Sequence, residues 1–375
     1  MSGINLMVLG SGASLPLAEN TAVPTITGTV ESGEILTLSS GTWSGVIDSY
    51  TYIFQKETAS NVWSTLQTSS SSTYTITAAE KGFKIRGRVA AVNGSGEVYA
   101  ESLKTVVVPG QAVFSGSSWT SNTSWQIPYG VDEVCIIVVG QGGSTIAMTN
   151  SVTPGVGGGG GASAWGNNIP VTGGSTATIY WNATTRANHY RANFNWLMYA
   201  ESGHIGGYST TAGSTAYCGG GTHNNGGTGY NGNGAGGGAA GYSGTGGNSS
   251  TNTYSAGNAG NGGGGGGAGG TGPWSNGCGG SGGGVGLLGE GTDGAAGTSG
   301  GGGGGGGSNG GAGGNANANP GGSSAGGWYG GGGGGAGARY DYDPDPGSIG
   351  GGGAAGVRVL WGANRSYPST NVMDK

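Results

Sequence analysis

"GGGGGGGSNGGAGGNANANPGG", from Gly301 to Gly322, contains almost nothing that folding ordinarily uses. Glycine gives up more backbone freedom than any other residue and brings no side chain to bury. The stretch is therefore either filler or an element in which glycine is required. Its few other residues keep a beat: Asn309, Ala312 and Asn315 fall three apart, as do Asn258 and Asn261 upstream. Three residues per turn is the period of the polyproline-II helix, which makes no internal hydrogen bonds. Such helices can bond to one another where no side chain intervenes, each N–H and C=O finding its partner in a neighbour. On this local period alone, packed polyglycine helices and disorder stand as equal alternatives.

The wider chain favours order. Its 375 residues include 97 glycines and 11 prolines, a composition that without a period belongs to low-complexity disorder. Only 8% of residues are charged, however, and there are 10 tryptophans and 17 tyrosines, a large supply of packing surface. Strand-like segments bracket the glycine region: VDEVCIIVVG (131–140) and TATIYWN (176–182) before it, VRVLW (357–361) after it. In the last, Val357, Val359 and Trp361 alternate with Arg358 and Leu360. A segment that leaves one sheet and returns to it is expected to be an insertion folded on a β platform. Tyr208, Tyr217, Tyr230, Tyr242, Tyr254, Trp274, Trp328 and Tyr329 punctuate the region. Capping the ends of a glycine stack explains them better than an exposed aromatic rim, because they are its main apolar supply.

The first part of the chain reads differently. Seven strands are expected at 24–30, 34–40, 49–57, 61–67, 72–78, 83–92 and 102–108, separated by Gly, Ser and Asn turns. This number and spacing fit an immunoglobulin-like sandwich. In KIRGRVAAV, Ile85, Gly87, Val89 and Ala91 share one face, and Arg86 and Arg88 point to the other, expected to be solvated. The fold class is thus mainly β with almost no α-helix. An N-terminal arm spans 1–20, an Ig-like sandwich 21–109, a glycine-rich domain bracketed by strands 110–364, and a tail 365–375.

Two resemblances add to this reading. Gly41-Thr42-Trp43, followed by Tyr74, Ile76, Thr77, Gly82, Ile85, Arg86, Arg88, Val89, Asn93 and Gly96, resembles the Ig-like modules of bacterial and phage surface proteins. The tryptophan usual in the third strand is replaced here by Ile53 or Phe54. Such modules imply a spacer or weak carbohydrate adhesion rather than catalysis. The glycine-rich part, with GGGGAAGVRVLWG, is similar to the glycine-rich domains of bacteriophage tail-fibre and other virion proteins. The ending Arg365-x-Tyr367-Pro368-Ser369-Thr370-Asn371 looks like a recurring terminus of phage structural proteins. More distantly, the region resembles the tip adhesins of T-even-like long tail fibres. Polyglycine helices pack in layers there, and the host-recognition loops between them do not map residue by residue onto this chain.

Catalytic and metal chemistry find little footing. G-x-G-x-x-G patterns recur through composition alone, without a strand–helix context. Gly279-Gly280-Ser281-Gly282-Gly283 fits a nucleophile-elbow pattern formally but has no indicated histidine partner. His189, His204 and His223 lack metal-helix spacing, and Cys218 and Cys278 have no Cys-x-x-Cys companions to join His223 at a metal. With Cys135 they are too few for a disulfide framework, which points to synthesis in a reducing compartment. No Lys or Arg lies between Arg191 and Arg339, and the formal net charge is −5, so nucleic-acid binding is not expected. No apolar stretch is long enough to cross a membrane. MSGINLMVLGSGASLPLA has no basic residue before its apolar run and is not read as a signal peptide.

The expectation is a non-enzymatic virion protein without cofactor or metal, assembled in the host cytoplasm and exposed on the particle. It would be a tail-fibre or related adhesin; the alternative is a capsid-decorating head fibre or assembly protein held by its N-terminal arm. Its partners would be other virion proteins and a host-surface polysaccharide or outer-membrane protein. A homo-oligomer is expected, trimers being common among fibres, although no heptad repeat demands one. Candidate receptor contacts are Tyr190, Phe194, Trp196 and Tyr199 in the side-chain-rich stretch 186–208, and Tyr340, Asp341, Tyr342, Asp343 and Asp345 in YDYDPDPG. The prolines of the latter enforce an exposed turn, better read as a solvated acidic loop than a Ca²⁺ site. Candidate virion-attachment residues are Ile4, Leu6, Met7 and Leu9.

Overall fold

The computed structural model describes residues 15–117, 121–144, 157–181, 191–195, 197–204, 222–230, 235–250, 256–261, 280–289, 292–297, 303–306, 312–313, 325–327, 329–331 and 350–368. The chain is mainly β, and its one helical element among the described residues is a single 3-10 turn at Ala78–Glu80. It divides into two compact units: the first runs to Pro109 and includes Pro128–Gly130, and the second is the remainder from Gly110.

The first unit contains β1 (Glu19–Ala22), β2 (Ile26–Thr27), β3 (Ile35–Leu38), β4 (Thr42–Ser44), β5 (Ser49–Ala59), β6 (Val62–Ser69), β7 (Thr73–Thr75), β8 (Ile85–Asn93) and β9 (Gly96–Glu101). Strands β2-β3-β7 form one sheet, β6-β5-β8-β9 another, and β1 pairs with β4. Alternation selects the core: Leu36 and Leu38 from β3 meet Phe54, Ile85 and Val89 from the opposite sheet, with Ile76 and Val108. A Cβ at Gly87 would overlap the Leu38 side chain, so glycine at that position of β8 lets the two sheets close.

Three details differ from the sequence reading. The seventh strand is Gly96–Glu101, not 102–108. The N–H groups of Ser102, Thr105 and Val108 donate to the carbonyls of Gly87, Ile85 and Phe83, a bond at every third residue, too sparse for a ladder of period two. Nor is the arginine face simply solvated. The Arg86 guanidinium lies 4.1 Å over the Trp63 ring and donates to Gln55 Oε1 at 2.9 Å, and Arg88 lies 3.7 Å over Tyr99. Finally, the arm shortens from within, because Asn93 Nδ2 donates to Pro16 O and Val46 O, and Ala18 is buried.

A capping box closes the 3-10 turn: Thr77 N donates to Glu80 Oε2 at 2.8 Å, and Ala79 N to Thr77 Oγ1. Burial, with the Glu80 carboxylate alongside, pushes the Tyr74 hydroxyl up to about 12.

The second unit contains β10 (Gly110–Gly116), β11 (Thr123–Gln126), β12 (Glu133–Val139), β13 (Ser163–Pro170), β14 (Thr176–Tyr180), β15 (Arg191–Phe194), β16 (Met198–Glu201), β17 (Thr222–Asn224) and β18 (Ala355–Trp361). Two antiparallel sheets result, β10-β18-β12-β13-β17 and β11-β14-β15-β16. Aromatic rings join them: Trp125 of β11 stacks on Trp361 of β18 at 5.7 Å and meets Phe114 of β10 edge-on at 6.2 Å. The ends of β10 are glycine because Trp361 and Trp181 occupy the space a Cβ would need at Gly110 and Gly116.

The other face of the five-stranded sheet is covered by the glycine-rich region. Cys135, Ile137, Val139 and Leu360 pack against Ala239, Tyr242, Val285, Leu287 and Tyr367. Every residue of β18 is therefore buried, Arg358 included. Its Nε donates to Gln111 Oε1 at 2.6 Å and its Nη1 to Leu287 O at 2.9 Å, which satisfies a cation that could not otherwise lie there. Residues 365–368 are no loose tail. Asn167 donates to Tyr367 O and accepts from Tyr367 N, and Tyr367 stacks on Tyr242 at 5.8 Å.

Beyond the strand ends the ladders continue into the glycine region without a change of register. Val139 lies opposite Ser163, and Gly140 N and Gly143 N then donate to Ala162 O and Gly159 O, each at 2.8 Å. Val139 also lies opposite Gly356, followed by Gly142 N to Gly353 O at 2.9 Å. Ser163 lies opposite Asn224, followed by Gly160 N to Gly227 O and Gly157 N to Tyr230 O.

What changes is the direction of successive bonds. Gly236 and Ala239 donate to Gly280 and Gly283, Gly237 and Ala240 to Gly158 and Gly161, and Gly238 to Gly247. Gly227 and Tyr230 donate to Gly238 and Ala235. Segment 235–240 is thus bonded to separate segments on four sides, with a repeat of three on each side where two bonds are described. This is the side-by-side bonding of polyglycine-II-type helices. The repeat read at Asn258 and Asn261 belongs to it: their N–H groups donate to Asn248 O and Thr245 O. Of the opening stretch, 303–306 and 312–313 are described, and Gly303 and Gly306 donate to Ser281 and Gly284. In these lattice segments glycine serves close approach. A Cβ at Gly158, Gly160, Gly227 or Gly282 would come closer than 3.0 Å to the backbone of another segment.

Candidate functional site

The lattice has a far end. Segments 140–144, 225–230, 245–250 and 292–297 run away from the sheet, while 157–161, 235–240, 256–261, 280–286, 303–306 and 350–354 run back, as their registers require. Ser144, Gly157, Tyr230, Ala235, Ser250, Ala256, Gly280, Gly297, Gly303 and Gly350 consequently lie at one level, remote from the strands. The chain joins four pairs of these ends through 145–156, 231–234, 251–255 and 298–302. The segment beginning at Gly350 also starts there, shortly after YDYDPDPG in the sequence. Described ends from widely separated parts of the chain are thereby gathered at one level of the scaffold.

The candidate contacts distribute unevenly over this frame. Phe194 is fully buried, 6.1 Å from the Trp125 ring, and opposite Ile179 and Met198 in its sheet. It is core and not a contact residue, because β15 turns that side chain toward the facing sheet. Tyr199 is half-buried on β16. Asn195 and Leu197, between β15 and β16, lie at the end of β16 opposite to the one that runs into the lattice. Tyr190, Trp196, Tyr340, Asp341, Tyr342, Asp343 and Asp345 lie outside the described residues, as do Ile4, Leu6, Met7 and Leu9.

Where the lattice meets the sheet, the chemistry is structural. Tyr242 Oη donates to Gly286 O and accepts from Gly289 N, and Ser163 Oγ and Asn224 Nδ2 both donate to Gly241 O. Burial pushes the Tyr367 hydroxyl well above its ordinary value and raises the Cys135 thiol. Groups held neutral in this way anchor rather than react. Among the described residues no three His, Cys, Asp or Glu side chains come close enough to share a metal ion.

Segment 145–156, TIAMTNSVTPGV, is the longest connection that joins two described far-end positions, and sequence reasoning did not single it out. Nothing local marks it, since the level of its flanking residues Ser144 and Gly157 depends on the register between β12 and β13. No protein-family model matches the chain, and no curated protein is significantly similar to it.

Proposed function

We propose that this protein is a bacteriophage virion component, a tail-fibre or related adhesin that recognises the host surface through the far end of its glycine lattice. The observation that carries the reading is the collection of separate chain connections at one end of a densely hydrogen-bonded scaffold. The resemblance of the glycine-rich part and of the Arg365–Asn371 ending to phage structural proteins supports the virion assignment. On this reading the first unit is a spacer, and residues 1–14 attach it to other virion proteins. The recognised group is a polysaccharide or outer-membrane protein, bound by many weak contacts multiplied over the copies on a particle.

Adsorption competition tests it. Purified full-length protein, added to host cells before the phage that carries it, is expected to reduce adsorption. Replacing 145–156 by a Gly/Ser linker of equal length is expected to remove that effect while leaving the thermal transition in place. Undiminished adsorption at saturating protein overturns the proposal.

A further inference from the structure

The outer row of the lattice differs in composition from its interior. Segment 256–261 reads Ala-Gly-Asn-Ala-Gly-Asn, and burial keeps the same beat: Gly257 and Gly260 are buried, whereas Ala256, Asn258, Ala259 and Asn261 are exposed. The N–H groups of Gly257 and Gly260 donate to Gly297 O and Gly294 O, and those of Asn258 and Asn261 to Asn248 O and Thr245 O. A helix with three residues per turn has three such directions. Two are occupied by described segments, and the residues of the third, Ala256 and Ala259, are exposed. The adjoining segment 292–297, Thr-Asp-Gly-Ala-Ala-Gly, repeats the arrangement: Gly294 and Gly297 are buried, and Thr292, Asp293 and Ala295 are exposed.

The interior shows what those side chains exclude. At Gly158, Gly160, Gly237 and Gly282 a Cβ would come closer than 3.0 Å to the carbonyl of the neighbouring segment. At these positions a side chain and the neighbouring segment exclude one another. Without side chains the outer row would be an open edge, subject to the same hazard as an unprotected β-strand.

We infer that Ala256, Asn258, Ala259 and Asn261 terminate the lattice and bar this flank from docking against the same flank of a second copy. A two-fold axis would set two 256–261 segments antiparallel, the relation this segment already has with 292–297. Backbone complementarity between copies is thus built in, and the outward Cβ atoms are what oppose it. The inference holds whatever the far end of the lattice binds.

The test uses the full chain carrying A256G/N258G/A259G/N261G, and a milder A256G/A259G form that keeps both asparagines. Sedimentation velocity over a range of concentrations is expected to show the mass of the wild-type species rising about twofold. The association should reverse on dilution, and A259R should keep the wild-type mass. The inference is overturned if the A256G/A259G protein, with its thermal transition retained, sediments as wild type at every concentration. Precipitation that dilution does not reverse also counts against it, since docked lattices would separate.

Discussion

Gly160 and Gly351 belong to the same lattice and should respond in opposite ways to the same added methyl group. A Cβ at Gly160 would strike Gly238 O, whereas at Gly351 nothing lies within 4 Å. Neither has a positive φ. Gly160→Ala must displace backbone on both sides and is expected to cost at least about 3 kcal/mol. Gly351→Ala only restricts the unfolded chain and should be neutral or stabilising by up to about 1 kcal/mol. Denaturant unfolding of the two variants measures the contrast, and equal effects would mean that glycine is not selected by approach. The requirement for glycine was legible in the Asn258–Asn261 beat, although which glycines are enclosed was not. The burial of Phe194 escaped for a related reason: a crowd of aromatics in sequence does not reveal which ones a strand turns inward.

Among elements, the strands of the sandwich were the most legible, because alternation in β3 and β8 marks a buried face directly. The misplaced seventh strand shows the limit of that signal. Of the apolar residues in 102–108, Leu103 and Val106 are exposed while Val108 is buried in the core, so apolar content there did not mark one strand face. In segment 365–368 one side chain imitates a backbone: Asn167 bonds Tyr367 O at 2.7 Å and Tyr367 N at 2.8 Å. Asn167→Ala leaves both groups without their partner beside the buried Tyr242–Tyr367 stack and should cost about 2 kcal/mol. Urea unfolding checks this. The loss should exceed that of Asn248→Ala, since Asn248 is exposed and its Oδ1 accepts a single described bond, from Thr228 N.

The two units, taken as a whole molecule, should melt separately. Burial pushes the Tyr74 hydroxyl from near 10 up to about 12, so its contribution to the first unit's stability is fully present below pH 10 and is lost as pH rises from 10 towards 12. Scanning calorimetry at increasing alkalinity should show one transition moving down over that range, and Tyr74→Phe should reduce the movement. Gly160→Ala should lower only the other transition. A single transition that responds to both changes would show that the units unfold as one. The gathering of chain connections at one level belongs to this scale too, and no window of sequence contains it. It follows from registers set between segments as distant as Gly142 and Gly353.

The unbroken register from β12, β13 and β18 into the lattice has a mechanical consequence. A pull applied at the far end runs down these segments along their own axes, while their hydrogen bonds lie across the pull. The bonds are then loaded in shear and must give way together, whereas peeling from a free edge would break them in turn. Tension on the tip is thereby shared with the sheet at its base, and no hinge in the described ladders lies between them to yield first.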